Sequence, residues 1–460
     1  MLANQFFKMS YVLLISLFCI GGISACSDNA KTASEYDPGK PVEITGFEPK
    51  SGPARTRLYI SGKNFGSDVS QISVKIGGLD AKVVGSNGEI IYCIVPAKVE
   101  EGTVEVAVGQ TENYVQASEV FAYEKRPQVK TLCGYVDEYG KTEAKDGSFD
   151  ECGFRGPRWL AVDPKHQDQI YVVDGIGEVI RVLDVTKRNA STLITKGQLS
   201  FTQIRQISFS ATGDTLLIAN EESTDTSTAI AILLRSSAYK TPNFIGQANE
   251  NNACGTHPIN GELYFNSRRT GKLFRYDWNT KVVEEQYTVI GPGSQYFIFF
   301  HPSGKYAYVN VPSKRIIMKS EYDEVNHKLL TPTLFCGKEN VRDFADGVGE
   351  AARLGNPFQG CFVKNEQYEK EGREDIYDFY FADQYAHAIR YVTPDAHVKT
   401  FAGRGSRGLN DDPHGYVDGD LLEEARFYEP AGLIYDSENR IFYVAELQNK
   451  RIRVIDMEGE

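Results

Sequence analysis

The sequence is poor in methionine, cysteine and histidine, and it carries no excess of positive charge. Its 460 residues include 4 Met, 8 Cys and 7 His, and the formal net charge at pH 7 is -12. A surface that follows nucleic-acid phosphates needs an excess of lysine and arginine, so a nucleic acid is not an expected partner. No Cys-x-x-Cys, His-x-x-His or His-x-x-x-His pair occurs, so the spacing of a zinc ribbon or of a helical metal site is missing.

Long apolar runs are missing as well. One short run, Tyr11–Ile20, follows Lys8 near the N-terminus. The run is too short to span a membrane, which takes about 20 residues. A positive residue before a short apolar segment indicates a secretory signal peptide over residues 1–25.

Small residues end this segment, in the order Ile23-Ser24-Ala25-Cys26. The order resembles the lipobox of bacterial lipoproteins, and the resemblance implies that Cys26 becomes the lipid-modified first residue of the mature protein. Lipid chains would then hold the protein on a membrane without a spanning helix. The polar residues 26–40 are interpreted as a flexible tether. An ordinary signal cleavage, with Cys26 incidental, is the alternative.

The cysteines outside the N-terminal segment are too few for a disulfide scaffold in a chain of this length. Buried free thiols are the favoured state, and a bridge between Cys133 and Cys152, or another one, stays open for an oxidising compartment. The set consists of Cys93, Cys133, Cys152, Cys254, Cys336 and Cys361.

Aromatic residues and glycine are abundant instead. The chain contains 26 Tyr, 25 Phe, 2 Trp and 42 Gly. This balance favours many short strands joined by tight turns, and therefore an all-β protein.

Residues 41–124 predict a first domain of this kind. Short alternating segments such as Leu58–Ile60 and Ile72–Ile76 are separated by Gly and Pro, which is typical of an antiparallel β-sandwich. The segments Ile44-Thr-Gly-Phe-Glu-Pro49 and Ile60-Ser-Gly-Lys-Asn-Phe-Gly66 resemble the opening and the turn of the TIG/IPT family of immunoglobulin-like domains. The resemblance implies a spacer or docking domain.

Residues 127–460 contain six repeats, each with an apolar strand that ends in a polar residue and is followed by a second strand. The first four polar ends lie roughly 45 residues apart, which is the length of a four-stranded blade. Six such units predict a six-bladed β-propeller. The first strands of these pairs are Ile170–Asp174, Leu216–Asn220, Leu263–Asn266, Tyr306–Asn310, Phe379–Asp383 and Phe442–Glu446.

Three of the repeats resemble the NHL family. Each has an Asp-Gly pair, at Asp146, Asp346 and Asp418, and the last ends in Asn449-Lys-Arg-Ile-Arg453. The first propeller strand, near residues 129–134, is an outermost strand without a blade of its own. We expect it to pair with the last blade and so to close the ring.

Loops between blades share one propeller face with the loops that join the second and third strands. Rings beside planar amides and charged groups on that face could cover the apolar side of a sugar and bind its hydroxyls, or could merely cap the channel. Tyr416 lies in the same group of loop aromatics. The ligand-binding candidates are Arg158, Trp159, Arg205, Asn266, Arg268, Tyr296, Asn310, Phe358, Gln359, Asp383, Tyr385, Tyr428, Glu429, Glu446 and Gln448.

Three other motifs are given structural interpretations. Gly403–Gly408 matches Gly-x-Gly-x-x-Gly, but Leu409–Gly415 cannot begin the helix that a dinucleotide site needs. The acidic group Asp411, Asp412, Asp418 and Asp420 lacks the spacing of an EF-hand, so a turn is favoured over calcium. Only His257 and His387 fall where a strand could point them at the axis, too few for a three-histidine site. No catalytic residue, metal or cofactor is assigned.

The combination of lipobox, TIG-like domain and NHL-like propeller resembles the accessory lipoproteins of Bacteroidetes polysaccharide-utilisation systems. The resemblance implies non-catalytic capture of a polysaccharide or oligosaccharide at the outer membrane or surface of a Gram-negative bacterium. Outer-membrane transport proteins or enzymes would be further partners. A protein-docking scaffold is the alternative function, because propellers serve that role equally well. A propeller lyase or hydrolase is a second alternative.

Overall fold

The computed structural model describes residues 35–457, apart from residues 97–98, 100–101, 110, 112 and 407–411. These residues form two compact units that divide after Glu124. The signal-peptide prediction, Cys26 and the start of the predicted tether lie outside the described residues. None of the helices in the described part of the chain is long and apolar enough to span a membrane.

The first unit is the predicted sandwich. Its antiparallel strands follow the order β1-β3-β6-β5-β4-β7-β8, and β2 pairs with β9 in parallel. The strands are β1 (Glu43–Glu48), β2 (Ser51–Gly52), β3 (Arg57–Lys63), β4 (Ile72–Ile76), β5 (Leu79–Ser86), β6 (Ile90–Ile94), β7 (Thr103–Val108), β8 (Val115–Val120) and β9 (Ala122–Tyr123).

The alternation predicted from the sequence places every second side chain of these strands in one core. Leu58 and Ile60 of β3 are fully buried and pack with Val104 and Val106 of β7. Residues 35–40, which the sequence analysis assigns to the tether, lie on this unit. The Asn64 amide donates to the backbone carbonyls of Asp37 and Lys40 at 3.0 and 2.8 Å.

The second unit is a six-bladed β-propeller, and the sequence prediction of fold and blade number is confirmed. Blade 1 contains β11 (Gly147–Ser148), β12 (Trp159–Asp163), β13 (His166–Asp174), β14 (Val179–Asp184) and β15 (Asn189–Thr195). Blade 2 contains β16 (Ile204–Phe209), β17 (Thr215–Asn220), β18 (Thr228–Leu234) and β19 (Pro242–Gln247). Blade 3 contains β20 (Cys254–Thr256), β21 (Leu263–Ser267), β22 (Lys272–Asp277) and β23 (Val282–Thr288).

The later blades carry the insertions that lengthen their repeats. Blade 4 contains β24 (Phe297–Phe300), β25 (Tyr306–Val311), β26 (Ile316–Asp323), β27 (Lys328–Leu329) and β28 (Thr333–Gly337). Blade 5 contains β29 (Gly347–Val348), β30 (Pro357–Lys364), β31 (Tyr377–Asp383), β32 (Ala388–Val392) and β33 (His397–Ala402). Blade 6 contains β34 (Gly419–Asp420), β35 (Pro430–Asp436), β36 (Ile441–Glu446), β37 (Arg451–Asp456) and, from the start of the propeller, β10 (Gln128–Cys133).

Helices among the described residues are short. The α-helices are α1 (Lys196–Leu199) and α2 (Glu366–Lys370). Single 3₁₀ turns occur at Val69–Gln71, Arg235–Ser237, Pro312–Lys314, Gly349–Ala351 and Gln384–Ala386.

Strand β10 closes the ring as the sequence predicts. It pairs antiparallel with β37, with Val129 opposite Ile455 and Thr131 opposite Arg453. The ring therefore joins its first strand to its last blade, and blade 6 has no unpaired outer edge beside β37.

Three buried arginines stabilise the blades that carry the Asp-Gly pair. Arg181, Arg390 and Arg453 lie on the third strand of blades 1, 5 and 6 and are at most 2% exposed. Arg390 contacts Asp346 of the Asp-Gly pair at 2.9 Å and Asp383, at the end of the second strand, at 3.1 Å. The Asp346 carboxylate also accepts from the backbone and hydroxyl of Thr400 on the fourth strand.

The other two blades repeat this arrangement. Arg453 contacts Asp418 at 2.5 Å and Glu446 at 3.0 Å. Arg181 contacts Asp146 at 3.0 Å and Asp174 at 3.9 Å. The Asp-Gly pair is thus a structural element in all three blades, because its carboxylate links the third and fourth strands.

The substitution Arg390→Met tests this arrangement. It leaves Asp383 buried without a counter-charge, so the free energy of unfolding of the propeller should fall by about 3–5 kcal/mol. Both tryptophans, Trp159 and Trp278, belong to the propeller, so tryptophan fluorescence during urea unfolding follows this unit alone. Arg373→Met is the control, because Arg373 pairs with the largely exposed Asp395 and should cost less than about 1 kcal/mol. Equal losses in the two variants would contradict the account.

Candidate functional site

The candidate site lies on the propeller face that carries the loops between blades, here called the loop face. The loops between second and third strands lie on the same face. The first strand of each blade begins here, beside the central axis, and its second strand ends here. The opposite face, called the turn face, carries the turns that join first and second strands.

The polar residues that end the second strands are buried structural groups. Asp174, Asn220, Asn266, Asn310, Asp383 and Glu446 are each at most 1% exposed. The Asp383 carboxylate accepts from the backbone N–H groups of Gly355 and Asn356 at 3.1 and 2.6 Å. Glu446 accepts from Tyr428 N–H at 2.9 Å.

Asn266 and Asn310 are engaged in the same way. Asn266 Oδ1 accepts from Asn252 and Ala253 N–H. Asn310 Nδ2 donates to the Phe358 carbonyl at 2.6 Å. The sequence interpretation of Asn266, Asn310, Asp383 and Glu446 as ligand contacts is therefore corrected. Asn266, Asp383 and Glu446 each hold the loop that enters the first strand of their own blade. Asn310 holds the first strand of the following blade.

Four further predicted contacts are also buried. Trp159, Tyr296, Phe358 and Gln359 are at most 5% exposed. The Trp159 ring packs 4.8 Å from Phe297 and 6.0 Å from Phe358, and its indole N–H donates to the Ile207 carbonyl. The Tyr296 hydroxyl donates to the Lys272 carbonyl, and Gln359 binds both backbone groups of Leu160. These side chains stabilise the centre of the ring, so their prediction as ligand contacts is also corrected.

The remaining seven predicted residues stay at least partly exposed around the axis. We call them the axial cluster: Arg158, Arg205, Arg268, Tyr385, Tyr428, Glu429 and Gln448.

On one side of the axial cluster, arginines are neutralised by glutamates. Glu221 pairs with Arg205 and, at 2.8 Å, with Arg268. Arg268 also lies 3.7 Å from Glu250. Sequence analysis did not single out Glu221, although it directly follows the strand-end residue Asn220 and so had to lie on this face.

On the other side, amides hold a single carboxylate. Glu429 accepts from Gln384 Nε2 at 3.2 Å and from Gln448 Nε2 at 3.3 Å. Its backbone has φ of 53°, a left-handed conformation that is costly for a non-glycine residue and tends to occur at functional sites. Gln384 was also missed, although it directly follows the strand-end residue Asp383.

Arg158 stands apart from the other arginines of the axial cluster. No carboxylate of the described residues lies within 4 Å of its guanidinium, and its buried Nε has no hydrogen-bond partner there. Its guanidinium carbon lies 5.5 Å from the Phe358 ring centroid. Burial, and next the positive charge of Arg205, lower the pKa of Arg158 to about 10.

A histidine pair borders the cluster. His387 and His414 have ring centroids 5.2 Å apart, and both rings pack on Tyr428. His387 Nδ1 accepts from the Glu429 backbone N–H at 3.2 Å, which requires this nitrogen to be unprotonated. Burial, and next the neighbouring His414, lower the pKa of His387 to about 4.

The other motifs do not join this site. His257 follows β20 on the turn face, where its ring binds the Gly304 carbonyl, so it does not meet His387. Asp418 pairs with Arg453, and Tyr416 shares a hydrogen bond with Thr131 at the blade edge. Asp411 and the end of Gly403–Gly408 lie outside the described residues. Within the described ranges no group of three His, Cys, Asp or Glu side chains is placed to hold a metal.

A cavity of about 420 Å³ occupies the axis and is lined by the first strands of blades 1 to 5. Its lining includes the turn residues Pro164, Ser210 and Pro302, so it opens on the turn face. Half-buried rings such as Phe299 and Phe362 share its lining with uncharged polar residues such as Ser208 and Thr256. The two faces of the propeller therefore differ, because one carries charged groups and amides and the other opens to a cavity without charged residues in its lining.

Comparisons with known proteins support this architecture. Residues 41–123 match the IPT/TIG domain family. A Bacteroides thetaiotaomicron VPI-5482 structure described as an auxiliary nutrient binding protein is 41% identical, covers 92% of this chain and 99% of that chain, and has a TM-score of 0.83. A Bacteroides ovatus ATCC 8483 auxiliary nutrient binding protein is 33% identical with coverages of 92% and 99% and a TM-score of 0.71.

Another Bacteroides thetaiotaomicron structure, described as a putative phosphatase, is 36% identical with coverages of 93% and 99% and a TM-score of 0.76. Among curated proteins, NHL repeat-containing protein 2 of Gallus gallus is 31% identical over 114 residues, which is 25% of this chain. The chain spans 27% or less of the length of the curated relatives it matches.

The substitution His387→Asn tests the electrostatics of the site. In the wild type the unfolded chain binds a proton near pH 6.5, whereas folded His387 does so only near pH 4. Stability from this group is therefore present above pH 6.5 and is lost as the pH falls towards 4. The variant should lose less stability than the wild type between about pH 7 and about pH 5, measured by tryptophan fluorescence during urea unfolding. Asparagine suits the left-handed backbone that His387 adopts.

The exposed His397→Asn variant is the control and should lose as much stability over that pH range as the wild type. If His387→Asn matched the wild type as well, the histidine would not be held neutral by its surroundings.

Proposed function

Because this chain belongs to the Bacteroides family that includes the auxiliary nutrient binding protein of Bacteroides thetaiotaomicron, we propose that it captures a nutrient without converting it, and that the nutrient is a complex carbohydrate. The relatives described as auxiliary nutrient binding proteins are covered almost completely by this chain. Their description supports binding as the role, and the chemistry of the loop face supports carbohydrate as the ligand.

The axial cluster provides the main structural support for this proposal. It combines the ring of Tyr385, which is 42% exposed, with the amide of Gln448 and the carboxylate of Glu429. A ring can cover the apolar face of a sugar, while amides and carboxylates bind hydroxyls through one or two hydrogen bonds each. Several such weak contacts along a polymer would give reversible capture.

The proposed location is the outer membrane or cell surface of a Gram-negative bacterium. Lipid on Cys26 would provide the anchor, since a lipid-modified N-terminus holds a protein on a membrane without a spanning helix. The sandwich would then separate the propeller from the membrane, and outer-membrane transport proteins or enzymes would receive the captured carbohydrate.

Tyr385→Ala tests the carbohydrate site. Loss of a stacking ring should weaken binding about tenfold, or about 1.4 kcal/mol. Affinity gel electrophoresis of the protein from Ser27 onwards, with a panel of polysaccharides in the gel, measures this change. Tyr59→Ala is the matched control, because Tyr59 is 46% exposed but belongs to the sandwich. If the wild type and the Tyr59→Ala control are retained by no polysaccharide, and the protein captures an outer-membrane protein instead, the carbohydrate proposal is contradicted and protein docking is favoured.

Cys26→Ala tests the anchor. The variant should move from the membrane fraction to the soluble fraction and should no longer incorporate radioactive palmitate. Cys19→Ala is the control, because Cys19 lies inside the apolar run and should leave both results unchanged. A Cys26→Ala protein that stays in the membrane fraction would overturn the lipid anchor.

A further inference from the structure

We infer that the carbohydrate bound at the loop face is acidic, and that Arg158 pairs with its carboxylate or sulfate group. This inference rests on the proposed function, because it names the class of ligand for the same site. Arg158 has no carboxylate of the described residues in contact with its guanidinium.

Four buried arginines of the propeller are neutralised by carboxylates. Arg181, Arg390 and Arg453 each contact two acidic side chains. Arg275 pairs with Glu262 and Glu284 at 2.9 and 2.7 Å. Among these arginines, a buried guanidinium is thus matched by acidic groups, as the cost of burying a lone charge requires.

Arg158 departs from this pattern. It is half-buried, and no carboxylate of the described residues lies within 4 Å of its guanidinium. Its buried Nε also has no hydrogen-bond partner among the described residues, a feature that it shares with Arg181, Arg275 and Arg390. Guanidinium N–H groups are strong donors that match carboxylate and sulfate oxygens in geometry. An arginine held in this way is costly for the fold and is ready to pair with an anion.

The neighbouring carboxylates are held by other partners. Glu221 pairs with Arg205 and Arg268. Glu429 accepts from Gln384 and Gln448. Both acids act electrostatically on Arg158, but neither lies within 4 Å of its guanidinium, so neither replaces a ligand anion within contact distance.

A second arginine enlarges the positive region beside the exposed ring. Arg342, on the exposed loop between blades 4 and 5, has its guanidinium carbon 5.4 Å from the Tyr385 ring centroid. It forms no ion pair with the described residues. Tyr385 also lies near Arg158. A sugar stacked on Tyr385 would therefore have unneutralised guanidinium groups near it, which favours a sugar that carries an acidic group.

The overall charge of -12 does not prevent this contact. Charges farther away than about 8 Å are largely screened at physiological salt. The local groups decide the interaction, and binding of an acidic polymer should therefore weaken at high salt.

The test compares polymers that differ in charge. Each affinity gel contains one polymer of two pairs. Polygalacturonate and its methyl ester test recognition of a carboxylate, and dextran sulfate and dextran test recognition of a sulfate. We expect the wild type to be retained by at least one acidic polymer and at least tenfold less by its neutral counterpart. Arg158→Met should abolish this preference, and Arg342→Met should reduce it. Arg155→Met is the matched control, because Arg155 lies three residues away and already pairs with Glu178.

Thermal unfolding of the same variants provides a readout that needs no ligand. Arg158→Met should keep or raise the unfolding midpoint of the propeller, since it removes a half-buried charge that has no carboxylate in contact. A clear fall in the midpoint would mean that Arg158 stabilises the fold, and would overturn the inference.

The outcomes also separate this inference from the proposed function. Retention by neutral and acidic polymers alike, unchanged in Arg158→Met, would overturn the acidic ligand and leave carbohydrate binding standing. If the wild type is retained by no polymer, either of the wider polysaccharide panel or of these pairs, both the acidic ligand and carbohydrate binding are overturned.

Discussion

In blades 1, 5 and 6, a buried arginine on the third strand forms ion pairs with two acidic side chains. The geometry of these blades and of their part of the loop face depends on these ion pairs. In blade 6 they link the Asp-Gly pair to the acid that ends the second strand, through Arg453, Asp418 and Glu446. Glu446 in turn holds the backbone of Tyr428, the residue before Glu429. In blade 1 the corresponding acid, Asp174, holds the backbone N–H of Gly156, two residues before Arg158. The structural ion pairs therefore help to set the positions of Arg158, Tyr428 and Glu429 in the axial cluster.

The fold could be predicted from the sequence because each of the six repeats indicates one blade. Six strands ending in a polar residue indicated six blades, and an outermost strand without a blade near residue 129 indicated closure with the last blade.

The residues of the candidate site were harder to predict. Asp383 and Glu446 have the sequence character of ligand contacts, yet they bind backbone N–H groups of a loop whose path the sequence did not reveal. Trp159 and Phe358 begin or lie in first strands, and only the packing of neighbouring blades decides that their rings face each other rather than the solvent. Glu221 and Gln384 had a usable signal, since each directly follows a strand-end residue.

The loop face and the turn face suit different chemistry. The loop face joins amides, carboxylates and a partly unneutralised set of arginines to the exposed ring of Tyr385. The turn face opens to an axial channel lined by apolar rings such as Phe299. A polymer with many hydroxyl groups needs the first kind of surface, because its polar groups must exchange water for protein hydrogen bonds. This difference is the reason for assigning capture to the loop face within a family that includes nutrient-binding proteins.

Hydrogen–deuterium exchange measured with and without a retained polysaccharide locates the ligand without any substitution. If the loop face binds the polysaccharide, protection should increase in peptides that contain the loop-face residues Arg158, Arg205, Tyr385 and Glu429. Peptides from the turn face, around Pro164, Ser210 and Pro302, should be unchanged. Protection confined to the turn face or to the sandwich would contradict the account.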